Sequence, residues 1–373
     1  MSDHAYLSAS QSERWINCPP SAALCAKAED RPTEYSQQGT DAHTLAAYLV
    51  EKALGRGCRD PTEDLTWYNA EIQEAAEGYR DFVMEQVESL ELPLVCVEQR
   101  LDFSKWVEHG FGTGDCVIVS DNILHIIDFK YGVGVLVEAK DNSQLKCYAL
   151  GAVETFGSLY GFNCVRLSIC QPRRGNVDTW ELSKEDLMKW ANDVLAPAAK
   201  LAYEGKGEFK AGPHCRFCKV KAACRKRAED CMKPAEYDFI KPPLLSDDEI
   251  AEVLQRIDGL VSWAEDVKTY ALQNALSGVK YPGWKLVEGR SSCRYTDEEA
   301  AARAVSEAGY DPYEKKLLGV TEMQKQLGRK KFDELLSKFI IKPKGKPTLV
   351  PDTDERPEFS TAQSDFTEEN NNE

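Results

Sequence analysis

No stretch of this sequence approaches the roughly 20 consecutive apolar residues that a membrane-spanning helix needs. The polar opening MSDHAYLSASQSERW lacks the apolar core of a secretory leader. Both absences lead us to expect a cytoplasmic protein with no membrane partner. No G-x-x-x-x-G-K-[ST] phosphate loop occurs, so any ATP-driven unwinding has to come from another protein. Net positive charge is also lacking. The 46 Lys and Arg are outnumbered by 62 Asp and Glu, a formal charge of -16, which counts against a general nucleic-acid binder. A second C-x-x-C pair is missing too, so the usual two-pair zinc spacing is incomplete.

Cysteine itself is plentiful. Thirteen in a chain with no export signal suggest free thiols and metal ligands in a reducing compartment, not a disulfide framework. Charge is unevenly spread. Residues 348–373 are acidic and poor in apolar side chains, the composition of a disordered tail. Basic residues gather at Lys206 to Arg227 and again from Lys315 to Lys346, and local patches rather than net charge set phosphate affinity. Solvated helix faces are the plainer reading of both groups.

Hydrophobic periodicity organises the rest. A helix is expected after Gly39 and up to Gly55, carrying His43, and a second over about 69–90. LVCVEQRLDF reads as a strand bearing Glu98. NSQLKCYALGAVETFG reads as a helix on which Gln144 and Tyr148 share a face, with Leu145, Ala149, Val153 and Phe156 opposite. NCVRLSICQPR is another strand, and Leu182 to Ala202 is expected to be helical. A long amphipathic helix capped by Ser246 should bury Ile250, Val253, Leu254, Ile257, Leu260, Val261 and Val267. YPGWKLVEGRSSCRYT suggests a hairpin, and TDEEAAARAVSEAG and small basic helices follow to about Phe339. These patterns divide the chain into residues 1–235, an α/β core, residues 243–347, mainly helical, and the tail.

The run GTGDCVIVSDNILHIIDFKYG sets charges into buried strand. Asp121-Asn122 between two apolar runs signals a two-residue hairpin turn. Ser120 then faces Ile123, and stepping outwards Asp115 faces Asp128, with Cβ atoms of such pairs roughly 5 Å apart. Lys130 lies two residues beyond Asp128 and points to the same face. Facing carboxylates repel, so something must compensate. A hard divalent cation would, and an internal Asp-Lys ion pair is the alternative. Apolar residues on both faces of this hairpin imply a central sheet covered by helices on each side.

Several motifs in order, GTDAH with His43, GTGD with Asp115, DFK with Asp128 and Lys130, and QLKCY with Gln144 and Tyr148, resemble the RecB-like branch of the PD-(D/E)XK nuclease superfamily. The arrangement also resembles a phage and prophage family carrying this core, over most of the chain. The resemblance implies a restriction-endonuclease-like fold, a central mixed sheet flanked by helices, with a helical C-terminal extension. It further implies Mg²⁺ or Mn²⁺ held by His43, Asp115, Asp128 and the Phe129 carbonyl, with Glu98 as an outer ligand. Lys130 would orient or help deprotonate the attacking water and stabilise transition-state charge, and Gln144 and Tyr148 would grip the phosphate.

CRFCKVKAACRKRAEDC concentrates Cys215, Cys218, Cys224 and Cys231. These four would make a local structural Zn²⁺ site. Alternatively, C-x2-C-x5-C resembles the downstream triplet of RecB-like nucleases whose fourth ligand lies upstream of the core, where Cys18 stands. That likeness implies a [4Fe-4S] cluster on Cys18, Cys215, Cys218 and Cys224, leaving Cys231 over. Cys25, Cys58, Cys96, Cys116, Cys147, Cys164, Cys170 and Cys293 read as small buried hydrophobes. The expectation is a metal-dependent deoxyribonuclease acting at DNA ends or on single strands in phage or mobile-element replication and recombination. Lys325, Arg329, Lys330 and Lys331 would contact DNA, and a helicase or single-strand annealing protein would be the partner. A nuclease fold kept only as a DNA-binding or assembly module, and a zinc-stapled interaction protein, are the rival readings.

Overall fold

The computed structural model describes residues 5–28, 33–233, 245–287, 295–313 and 317–341. The chain divides into two compact units, Met1–Asn274 and Ala275–Glu373. The first unit opens with α1 (Ser12–Asn17), α2 (Ser21–Lys27), α3 (Glu34–Ala53) and α4 (Ala70–Glu88). Strands β1 (Leu94–Asp102), β2 (Phe111–Val119) and β3 (Ile123–Phe129) follow, then α5 (Ser143–Phe156), β4 (Cys164–Gln171) and β5 (Asn176–Ser183). Helices α6 (Lys184–Trp190), α7 (Ala196–Tyr203) and α8 (Arg225–Met232) lead to the long α9 (Asp247–Leu276).

The five strands form one sheet in the order β1-β2-β3-β4-β5, with β3 parallel to β4 and every other pair antiparallel. A parallel neighbour needs a crossover, and α5 supplies it. The β2-β3 register is the one the Asp121-Asn122 turn dictates: Cys116 pairs with Ile127 and Val119 with Leu124, and the Ser120 amide donates to the Ile123 carbonyl at 2.9 Å. Alternation then sends Val117, Val119, Leu124 and Ile126 into one core with α5, and Cys116, Ile118, Ile127 and Phe129 into a second with α3 and α4. Every residue of β3 is buried. The mixed α/β architecture with helices on both faces therefore follows from a strand that is apolar on both sides.

Four expectations need correction. Helix α3 begins at Glu34, not after Gly39, because Thr33 and Ser36 form a reciprocal cap and Gly39 lies inside the helix. Leu182 is in β5, an edge strand whose burial alternates residue by residue, and helix starts only where Ser183 accepts from the Asp186 amide. A π turn, Ala191–Leu195, interrupts the helix thereafter. Helix α9 has its Ser246 cap but no fully buried residue: Ile250, Leu254, Ile257 and Val261 are exposed, and Val253, Leu260 and Val267 are half-buried. Cys58 is exposed in the polar loop after α3, facing the carbonyls of Tyr48 and Arg56. Cys96 and Cys164 are half-buried, Cys116, Cys147 and Cys170 are buried, and Cys293 lies outside the described residues.

In the second unit α10 (Glu298–Glu307), α11 (Val320–Leu327) and α12 (Arg329–Leu336) are short and amphipathic, and Phe332 is buried. No strand occurs in the described part of the segment expected as a hairpin, and residues 288–294 of it lie outside that part. Lys331 is exposed, while the side chains of Lys325, Arg329 and Lys330, like the acidic tail, lie outside the described set. Among the described residues no helix is long and apolar enough to cross a membrane.

Candidate active site and cysteine centre

Three adjacent strands each bring one carboxylate to the same row. Glu98 stands between Val97 and Gln99, whose partners Cys116 and Gly114 flank Asp115, and Asp115 in turn neighbours Asp128 through the hairpin. Glu98 adopts φ +49° in mid-strand, a left-handed conformation that turns its carboxylate relative to its neighbours. Helix α3, packed on one face of the sheet, supplies His43, with its ring edge-on to Phe129 at 5.1 Å. His43 Nδ1 lies 3.2 Å from Asp115 Oδ1, and the Phe129 amide donates to Asp115 Oδ2 at 2.6 Å. One ligand atom each of His43, Glu98 and Asp115 falls within a 4.8 Å group.

Asp128 anchors the other half. It is 2% exposed, and its Oδ2 is 2.8 Å from Lys130 Nζ. Gln144 Nε2 donates to Asp128 Oδ1 at 3.0 Å, and Lys130 Nζ donates to Gln144 Oε1 at 3.2 Å. Tyr148, one turn further along α5, has its hydroxyl 3.1 Å from Gln144 Nε2. Asn142 caps α5 through the Gln144 and Leu145 amides, which fixes the first turn beneath the sheet. Gly112 lets Tyr148 in: a Cβ there would lie 2.7 Å from the ring.

The charges respond to one another. Burial would lower the His43 pKa, but Asp115 and then Asp128 outweigh it and push it up to about 9. Burial and the Asp115 charge push Glu98 up to about 7. Asp115 is held below the usual carboxylate range, because His43, Lys130 and the Phe129 amide overcome its desolvation. Asp128 is raised by burial, which Lys130 only partly offsets. Lys130 is raised because Asp128 outweighs the burial that would lower it. Two basic groups and three carboxylates thus converge, and the upward shifts of Glu98 and Asp128 are those of carboxylates short of positive partners, which an added hard cation would supply.

All seven residues anticipated for this site come together: His43, Glu98, Asp115, Asp128, Lys130, Gln144 and Tyr148. The differences lie in Glu98 and Asp128. The Glu98 carboxylate joins the tight group with His43 and Asp115, whereas an outer position was expected, and Asp128, expected as a ligand, lies outside that group with its oxygens facing Lys130 and Gln144.

A second constellation lies away from the sheet's carboxylates. Cys18, at the end of α1, lines one cavity with Cys215, Cys218 and Cys224, and Arg14 and His214 stand in its wall. Burial would raise the Cys18 thiol, but a hydrogen bond from His214 and backbone contacts bring it below its ordinary value. Cys231 points away, its sulfur 3.6 Å from the Gly259 carbonyl of α9. Among the described residues the cavity's sulfurs form no group as tight as the one at His43. Cys25, expected as a small buried hydrophobe, is buried, and its sulfur also lies 3.7 Å from that of Cys218. No spacing motif marks it, because α2 brings it close only in three dimensions. Lys221 and Arg227 pair with Asp266 at 2.8 and 2.6 Å, which ties this segment to α9.

A solved structure titled "Crystal structure of SSO0001" is similar over 49% of this chain and 95% of its own, at 14% identity. Its TM-score of 0.22 is too low to support any statement about fold. The sequence profile described as "Protein of unknown function (DUF2800)" matches residues 4–357, nearly the whole length, and the chain belongs to that family.

Proposed function

We propose that this protein is a metal-dependent deoxyribonuclease of the RecB-like PD-(D/E)XK type, hydrolysing phosphodiester bonds at DNA ends or in single strands. The observation that carries the reading is the row of Glu98, Asp115 and Asp128 on adjacent strands, with His43 and Lys130 closing it. An isolated ion pair would need one carboxylate per cation; here three carboxylates converge on two cations. The donor set of carboxylate oxygens and one imidazole fits Mg²⁺ or Mn²⁺. His43, Glu98, Asp115 and Asp128 would hold the ion, which when bound would supply charge neutralisation and water activation.

The chain's own groups do the rest. Lys130 Nζ, paired with Asp128 and raised in pKa, is a cation at neutral pH and offers an N–H to negative charge growing on the phosphate. Gln144, fixed by Asp128 and Tyr148, keeps the Lys130 ammonium aimed into the cleft. The Tyr148 pKa is raised by burial and then by Asp128, so its hydroxyl stays protonated and positions substrate by donation. The proposed place in phage or mobile-element replication and recombination, with a helicase or annealing partner, rests on the sequence resemblance.

The cysteine cavity is read as the seat of a [4Fe-4S] cluster on Cys18, Cys215, Cys218 and Cys224. A zinc tetrahedron with bonds of about 2.3 Å gathers its sulfurs tightly. Sulfurs spread round a cavity favour a polynuclear group, and the outward turn of Cys231 disfavours the local four-cysteine zinc site.

Digestion of end-labelled linear and circular DNA, single- and double-stranded, with Mg²⁺ or Mn²⁺ tests the activity. Labelled mononucleotides or short products are expected from linear DNA or from single strands, with circular double-stranded DNA left intact. If every substrate survives with both ions, the nuclease reading is wrong.

A further inference from the structure

Arg14 carries a buried charge without an acidic partner among the described residues. It is 4% exposed, and its guanidinium donates to Ser21 Oγ at 2.8 Å and Gln11 Oε1 at 2.5 Å, both neutral acceptors. The other buried arginine of this region, Arg227, is neutralised by Asp266 at 2.6 Å. His214, also buried, is engaged with the Lys210 carbonyl at 2.8 Å. Burying a guanidinium against hydroxyl and amide groups alone is unfavourable, and proteins tolerate it where an anion completes the environment. Among the described residues no carboxylate lines the cavity, but thiols do: Arg14 lines it with Cys18, Cys215, Cys218 and Cys224. Thiols that hold a metal do so as thiolates, so four of them leave the centre with net negative charge.

We propose that Arg14 is the counter-charge of the anionic thiolate-held group at this cavity, a positioning residue that helps keep the group bound. The proposal rests on the cysteine-centre reading above but not on whether iron-sulfur or zinc occupies it. It also gives α1 a purpose. That short helix presents Arg14 and ends at Cys18, so one turn supplies both a ligand and the charge that stabilises it.

The rival explanation is mechanical: Arg14 clamps Ser21 and Gln11, and its charge is incidental. Three substitutions in the full chain separate the two. Arg14→Gln removes the charge but keeps a donor, Arg14→Lys keeps the charge, and Ser21→Ala removes part of the clamp while leaving the charge. Each protein is loaded anaerobically with ferrous iron and sulfide, and separately with Zn²⁺, and release to a chelator is timed. Metal-site neighbours of this kind alter affinity by about 10- to 100-fold. Release about tenfold faster from Arg14→Gln, with Arg14→Lys and Ser21→Ala close to wild type, is expected. Equal release from Arg14→Gln and Arg14→Lys, or faster release from Ser21→Ala than from Arg14→Gln, overturns the proposal. If the wild type retains neither iron nor zinc, the cysteine-centre reading falls and takes the proposal with it. A wild type that loads, beside an Arg14→Gln that holds metal as long, removes only the role of Arg14.

Discussion

Asp115 is the middle carboxylate of the row. It accepts from a backbone amide, faces His43, and stands between Glu98 and Asp128. Asp115→Asn keeps its shape and one acceptor but loses the charge. Activity should fall by roughly 100-fold or more, as for loss of a preorganised electrostatic group, with the melting temperature little changed; measured turnover near wild type would remove Asp115 from the site. Glu98→Gln separates the inner from the outer role. As a direct donor, Glu98 should weaken Mn²⁺ binding in solution by about 10-fold or more when neutralised, and unchanged Mn²⁺ affinity would return it to the periphery. A different residue governs acid stability. His125 is fully buried, hydrogen-bonded to Ser168 at 2.8 Å, and burial pulls its pKa down to about 3. Below the unfolded value of roughly 6.5 the unfolded chain takes a proton that the native chain refuses. Stability contributed by the neutral ring is therefore lost as pH falls from about 6.5 towards 3, at up to about 1.4 kcal/mol per pH unit. His125→Gln should flatten that part of the curve in urea melts between pH 4 and 6, and an unchanged slope would assign acid sensitivity elsewhere.

At the scale of elements, the decisive contact is α5 on the sheet. Gly151 has room for no side chain: a Cβ would lie 2.8 Å from Leu101 Cβ and 3.1 Å from the Asp102 amide nitrogen. Gly151→Ala should push α5 off β1, costing about 1–3 kcal/mol in chemical denaturation and moving Gln144 and Tyr148 away from Asp128, so cleavage should fall as well. Unaltered stability would show that the contact relaxes freely. The site was readable in the sequence where short-range rules govern. The two-residue turn at Asp121-Asn122 fixes register, register places Asp115 beside Asp128, and helical spacing puts Gln144 and Tyr148 together. Edge strand β5 was hidden because its alternation runs straight into the Ser183 cap and mimics a helix start. The stripe of α9 was legible as a stripe, but amphipathicity says only that a face is apolar and not what covers it. The closeness of Cys25 to Cys218 and the place of Arg14 were invisible, since both depend on where α1 and α2 bring these residues and no spacing encodes that.

For the whole molecule, the cysteine centre joins the chain's beginning to the segment after the sheet. Closing a loop of that length stabilises a domain by several kcal/mol, roughly 4–5 in the chain-entropy picture. Cys18→Ser should therefore bleach the expected absorbance near about 400 nm and lower the melting temperature, while Cys231→Ser, whose sulfur faces α9, leaves both nearly intact. Iron lost from Cys231→Ser but kept in Cys18→Ser would mean a local site instead. The second unit, from Ala275, bears the basic helices. The central claim, that these charges perform phosphodiester hydrolysis and do not simply hold the sheet together, is tested most directly through Lys130→Met. Its DNA cleavage with Mg²⁺ or Mn²⁺ should be compared with its DNA binding and melting temperature. The account predicts cleavage reduced at least about 100-fold with binding and stability close to wild type. Wild-type cleavage by Lys130→Met, or a variant that unfolds because the Asp128 ion pair was structural, would contradict it.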